Sequence, residues 1–344
     1  MFAWIGWRLA VWAVLLVIAG LLVMFVPALA PWAVMMAICG AIRPWLSAWK
    51  GAEKTALRGA LAWAGLTIAL GLLAQAQALL ELPETGRPWT GRITYLMVLA
   101  MLASLTSVLG ARNPGGRAWA ILMVLLVVVF LIPWLEAGGR LRRAHGLGQV
   151  QLDSPWTLFY GLLVLAGVTN FLPTRYGLAA LSLGAGLVLE FLGLTRTGWT
   201  AEARAAVWSA VAWSLALGWW LAEWSNRRPS LGRNSLERLW LWFRDHWGVV
   251  WALRIQERFN RAAEVSRWPA RLTWFGLVPA SPATTAAPVE LPEQAEAALR
   301  GLIRRFAAPE RIDALLNTGE GDLAIRQRQR DDRGINSSPG RETS

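Results

Sequence analysis

Cysteine occurs once, at Cys39, and histidine only at His145 and His246. A single thiol excludes an internal disulfide and any multi-cysteine metal or cluster site. Lysine is nearly missing as well. Of the 34 cationic residues only Lys50 and Lys54 are lysines, so the positive charge rests on guanidinium groups, which stay ionised and pair well with phosphate. Charged residues make up only 16% of the chain, against a hydrophobic fraction of 55%. A soluble chain needs more polar surface than that, so the composition places this one in the membrane class. The chain holds no zinc-protease His-Glu motif and no serine in a nucleophile-elbow setting. It also lacks an aspartate pair suited to intramembrane proteolysis or two-metal phosphate chemistry. No metal and no cofactor is expected, and an enzyme is the less favoured class.

Long apolar runs and tryptophan are what the chain has in quantity. Eight stretches approach the roughly 20 residues that a bilayer requires at 1.5 Å per residue: Leu9 to Val26, Pro31 to Ile42, Gly59 to Leu80, Ile93 to Gly110, Ala118 to Leu135, Trp156 to Pro173, Tyr176 to Leu194 and Ala205 to Ala222. The second is short. It reads as a short helix, a re-entrant piece, or a helix that continues past Arg43 by letting that side chain snorkel. The expected fold is therefore an all-α transmembrane bundle of about eight spans, or seven, over residues 1–222. Ala28-Leu29-Ala30 resembles a signal-peptidase site, but the preceding run is longer than a signal core and Pro31 follows directly, so the first stretch is read as a retained span.

Many of the 23 tryptophans, Trp4, Trp45, Trp89, Trp134 and Trp224 among them, fall at the ends of apolar runs, as an aromatic belt requires. Trp63, Trp208 and Trp213 lie inside spans, where packing against neighbouring helices is the expected role. Arg43, Lys50, Lys54 and Arg58 after the second stretch, and Arg227, Arg228, Arg233 and Arg238 after the last, point both segments to the cytoplasm of a bacterial-type cell membrane. Arg140, Arg142 and Arg143 then fall on the outer side, against the rule.

Ionisable groups at membrane depth are the functional candidates. Glu190 is the leading one, able to carry a proton, bind a cation, or pair with Arg196 at the interface. Asn170, Gln75 and Gln77 are the uncharged polar residues at comparable depth, read chiefly as interhelical hydrogen-bond partners. The seventh stretch is rich in small residues, including Gly177, Ser182, Gly184 and Gly186, and is expected to be a central helix.

Residues 223–278 read as a juxtamembrane Trp/Arg-rich segment, helical from 235 to 275. Leu236, Leu239, Trp240, Phe243, Trp247, Val250 and Trp251 recur at helical spacing, with Arg238, Asp245, Arg254, Glu257, Arg258 and Arg261 opposite. An aromatic face backed by arginine suits the membrane interface and anionic headgroups. Arg244, Asp245, Trp247, Trp251, Arg254, Glu257 and Arg258 form the candidate docking cluster. Asn234 or Ser235 is placed to cap the start. A Pro/Ala linker over 279–292 leads to short helices over 293–320, which are too small to fold alone and need a surface to dock on, either the 235–275 segment or another protein. Residues 321–344 read as disordered. Nine arginines against ten acids over 276–344 argue against a nucleic-acid tail.

These features favour a non-enzymatic scaffold or assembly factor that binds protein partners through residues 235–320. A secondary transporter or channel built around Glu190 is the alternative. A membrane-embedded enzyme acting on a lipid-linked or envelope precursor is third.

Overall fold

The computed structural model describes residues 30–80, 88–112, 117–143, 152, 154–195, 199–228, 234–280 and 292–317. The chain divides into two compact units, Met1–Arg228 and Pro229–Ser344. The apolar stretch Leu9 to Val26, most of the 279–292 linker, Arg196 and the 321–344 tail lie outside the described residues.

Among the described residues seven α-helices build the first unit: α1 (Ala30–Gly51), α2 (Arg58–Leu80), α3 (Pro88–Ser107), α4 (Arg117–Arg143), α5 (Ser154–Thr169), α6 (Gly177–Thr195) and α7 (Ala201–Arg227). Five of them, α2, α3, α4, α6 and α7, are long and apolar enough to cross a membrane. The expected count was about eight, or seven, and its first stretch, Leu9 to Val26, lies outside the described residues. The 16-residue α5 reaches only about 24 Å at 1.5 Å per residue. Helix α1 runs on past the anticipated end at Ile42 to Gly51, with Arg43 exposed and Pro44 buried inside it. Helix α4 continues beyond Leu135 to Arg143, so the three troublesome arginines extend that helix instead of lying in a loop.

A bundle in lipid is apolar outside as well as inside, because nothing there has to meet water. Helix α4 shows this plainly: Ile121, Leu122, Val124, Leu125, Val128 and Val129 are all exposed. These apolar helices mark a membrane-embedded protein. The centre of the bundle is α3, 72% buried over its apolar window against 44% for α6 and 17% for α4. The small-residue α6, expected at the centre, packs instead between α5 and α7 with a lesser contact to α3. One apolar core joins α3 to α7 around Tyr95, Leu102, Phe130, Tyr160 and Leu187, and a smaller one joins α1, α2 and α7 around Val34, Ile38, Ile68 and Ala212.

Glycines set the helix spacing by receiving tryptophan rings. A Cβ on Gly65 would sit 2.6 Å from the ring of Trp45, whose Nε1 donates to the Leu61 carbonyl at 2.8 Å. Trp119 covers Gly110 in the same way and donates to Ser107 O at 2.8 Å. Trp208, an interior tryptophan, lies over Gly91. Close approach of this kind supplies the van der Waals contact that holds helices together where no hydrophobic effect acts.

The second unit is a small mixed fold. Helix α8 (Ser235–Val265) starts at Asn234, whose side chain accepts from Glu237 N at 2.7 Å. It is broken at Gly248, where φ 74 and ψ −170 lie outside helical space. The helix stops ten residues before the expected 275. Pro269 cannot extend it, and Arg267 takes a positive φ of 53 while Trp268 N bonds back to Ala263 O at 2.8 Å. An antiparallel hairpin follows, β1 (Ala270–Thr273) and β2 (Gly276–Pro279), in register Leu272↔Leu277 and Thr273↔Gly276. The fold is thus not purely helical. Helix α9 (Glu293–Ile303) and a helical turn sequence over 309–317 complete the unit. They dock on the 235–275 segment, one of the two surfaces foreseen for them: Phe306 stacks edge-on to Phe243, Trp247 and Trp251 at 4.9, 5.8 and 5.1 Å.

Candidate functional site

Glu190 projects from α6 into the larger core and is 2% exposed. Two tyrosines are brought to the same place by different helices. Tyr160, on α5, is fully buried; its hydroxyl donates to the Leu187 carbonyl at 3.0 Å and its ring stacks on Phe191 at 5.5 Å. Leu187 and Phe191 bracket Glu190 on one turn of α6, so Tyr160 lies along the turn that carries the carboxyl. Tyr95, on α3, is also fully buried and donates to the Phe130 carbonyl of α4 at 2.7 Å. Phe130 meets the Tyr160 ring edge-on at 6.5 Å, which closes the set. Glu190 lies within electrostatic range of both phenols.

Both hydroxyls are thus committed to backbone acceptors, and the carboxyl is not matched in the same way: among the described residues Glu190 Oε2 is buried with no hydrogen-bond partner. An ionised carboxylate left so in hydrocarbon costs several kcal/mol. One turn before Tyr95, Arg92 is buried with its guanidinium 5.3 Å from the Trp89 ring and 5.9 Å from the Trp134 ring. Among the described residues no three His, Cys, Asp or Glu side chains gather in a way that could hold a metal ion.

The other intramembrane candidates lie on other parts of the chain. Asn170 is buried but lies past the end of α5, about 15 Å along the helix axis from Tyr160. Gln75, buried, and Gln77, half-buried, are on α2, whose main packing is against α1 and α3. The two tyrosines were missed from sequence, although a signal existed. Only three tyrosines occur in the chain, and two of them fall inside apolar runs, where a phenol needs a partner.

The candidate docking cluster splits. Trp247 and Trp251 belong to the aromatic nest around Phe306. Arg244 and Asp245 are also largely internal: they pair at 2.7 Å, while Arg244 Nη1 donates to Trp274 O at 2.7 Å and its guanidinium lies 5.2 Å from the Trp274 ring. Only Arg254, Glu257 and Arg258 remain exposed, along with Val250, Leu253 and Arg261 on the same face. Glu257 and Arg261 pair at 3.2 Å, an exposed contact of small worth. At the tip of the hairpin Phe275 is 84% exposed.

Taken together, the chain is a membrane-embedded helical bundle followed by a compact mixed unit. No family model matches it, and no curated protein or solved structure does either.

Proposed function

We propose that this protein is a membrane-anchored scaffold, with the second unit as its docking module on the cytoplasmic side of a bacterial-type membrane. The observation that carries the reading is the surface of that unit. Its aromatic residues are largely used up inside, yet Leu253, Val265, Phe275 and Val278 stay exposed beside Arg254, Arg258, Arg261, Arg267 and Arg271. Exposed apolar side chains among arginines suit a protein partner with an apolar patch rimmed by acids. The same arginines suit anionic headgroups, at about 1 kcal/mol per basic residue near the surface. Lys50, Lys54, Arg58, Arg175, Arg227 and Arg228 sit at helix ends on the side from which α7 leads into this unit, which supports the cytoplasmic assignment.

A transport reading would need Glu190, Asn170, Gln75 and Gln77 to converge, and Asn170 lies about 15 Å along the helix axis from Tyr160. Deleting residues 290–320 is a poor test of docking, because Leu299, Ile303 and Phe306 are core residues of the unit and their loss would unfold it. The better test leaves the core alone. Leu253→Glu and Phe275→Ser, introduced in the full-length chain and purified in mild detergent, are expected to lose a co-purifying protein that the parent chain retains. Equal recovery of that protein with both variants would count against this surface as the docking site.

A further inference from the structure

We propose that Glu190 is a reversible proton-binding site, and that its proton holds together the packing of α6 against α3 and α5. The inference is independent of docking by the second unit. It rests on geometry: a carboxyl 2% exposed, one oxygen without a partner, and two phenols whose hydroxyls are already spent on the carbonyls of Phe130 and Leu187. Neither phenol is free to turn and solvate a carboxylate without giving up its own buried acceptor. The neutral acid fits this cleft between helices, and the anion does not.

Among the described residues no ion pair to Glu190 is found on the packed elements. Helix α3 contributes Tyr95 and, a turn away, Arg92; α5 contributes Tyr160. On α7 the residues that face α6 here are Val207, Val211 and Ser214, as the close approaches at Gly193 and Gly186 show. Arg204 lies nearer the start of α7 and donates to Trp199 O at 2.7 Å. Helix α4, which reaches this cluster through Phe130, has Glu136 beyond Trp134 toward its end. Among the described residues no group of three His, Cys, Asp or Glu side chains forms at this place, and a hard divalent cation takes six to eight oxygen ligands.

The sign follows from which form the packing tolerates. At low pH the acid is neutral and the α3–α5–α6 contact is intact. As pH rises and the proton leaves, the anion is tolerated only where water or a counter-charge can reach it, so the contact must open. One proton makes the open fraction rise about tenfold per pH unit above the titration point.

The test is hydrogen exchange of the full chain in lipid nanodiscs, followed by mass spectrometry across mildly acid to alkaline pH and corrected for the intrinsic chemical rate. Peptides from α5 and α6 should show an excess opening with that one-proton slope, and peptides from α2 should not. In Glu190→Gln, which mimics the neutral acid, the excess should vanish. Should that variant fail to insert, infrared spectroscopy of the parent chain still decides the matter: the protonated-carboxyl stretch should be lost on alkalinisation. Three results overturn the proposal. One is a flat slope. Another is a carboxyl stretch that persists at every pH, which would make Glu190 a permanently neutral packing residue. The third is an opening whose midpoint moves with sodium or potassium, which would make it a metal-cation site.

Discussion

Asn260 offers the sharpest test of how the second unit is held together. In an isolated two-stranded hairpin the outward N–H and C=O groups of each strand lack partners, and the hairpin is marginal at best. Leu272 and Leu277 are such a pair here, and α8 satisfies both. Asn260 Nδ2 donates to Leu272 O at 2.8 Å while its Oδ1 accepts from Leu272 N at 2.7 Å. Across the hairpin Glu237 Oε1 accepts from Leu277 N at 3.1 Å. A single asparagine thus does the work of a third strand. Asn260→Ala removes two hydrogen bonds worth about 1 kcal/mol each and leaves the N–H and C=O of a buried residue facing a gap, for a total of about 2–4 kcal/mol. At a factor of ten per 1.4 kcal/mol, hydrogen-exchange protection of residues 270–279 should fall roughly thirty- to several-hundred-fold. Asn260→Asp is the discriminating variant. It keeps the acceptor for Leu272 N but sets a carboxylate oxygen against Leu272 O, so at neutral pH it should be at least as harmful as alanine. On acidification the carboxyl gains a proton and becomes a donor again, so protection should recover as pH falls. Unchanged protection in Asn260→Ala would refute the clasp, and an aspartate variant indifferent to pH would refute the donor half of it.

Two further substitutions probe the backbone and the bundle. Gly248 holds φ 74 and ψ −170, a region essentially reserved for glycine, so Gly248→Ala should cost about 1–3 kcal/mol in the second unit; proteolysis of residues 235–317 should accelerate, and a slower rate would show that the break is not required. In the bundle, a Cβ on Gly91 would lie 2.5 Å from the Trp208 ring. Gly91→Ala should therefore lower the temperature at which the detergent-solubilised chain aggregates, a loss of about 1–3 kcal/mol, and Trp208→Leu in the same chain should restore part of it. Additive losses in the double variant would mean that the ring and the glycine are not coupled.

Much of the architecture was legible in local patterns. The apolar runs located seven helices among the described residues, although two of these run eight or nine residues past the apolar stretch that marks them, and Asn234 could be read as a cap because its partner is only three residues away. What escaped sequence reading was non-local. The period of apolar residues in 235–251 shows that α8 has one water-averse face, but not what covers it. A lipid interface, a partner protein or Phe306, which lies far along the chain, would each satisfy the same pattern. The hairpin was missed for a related reason: four-residue strands have little periodicity of their own, and their hydrogen bonds depend on Asn260 and Glu237, which no local window contains. The same reasoning accounts for Glu190. A lone carboxyl in an apolar run announces itself by cost, but its meaning depends on which side chains three other helices bring to it. Tyr95 and Tyr160 arrive with their hydroxyls already bonded, and this leaves the proton as the one partner that needs neither space nor a further ligand.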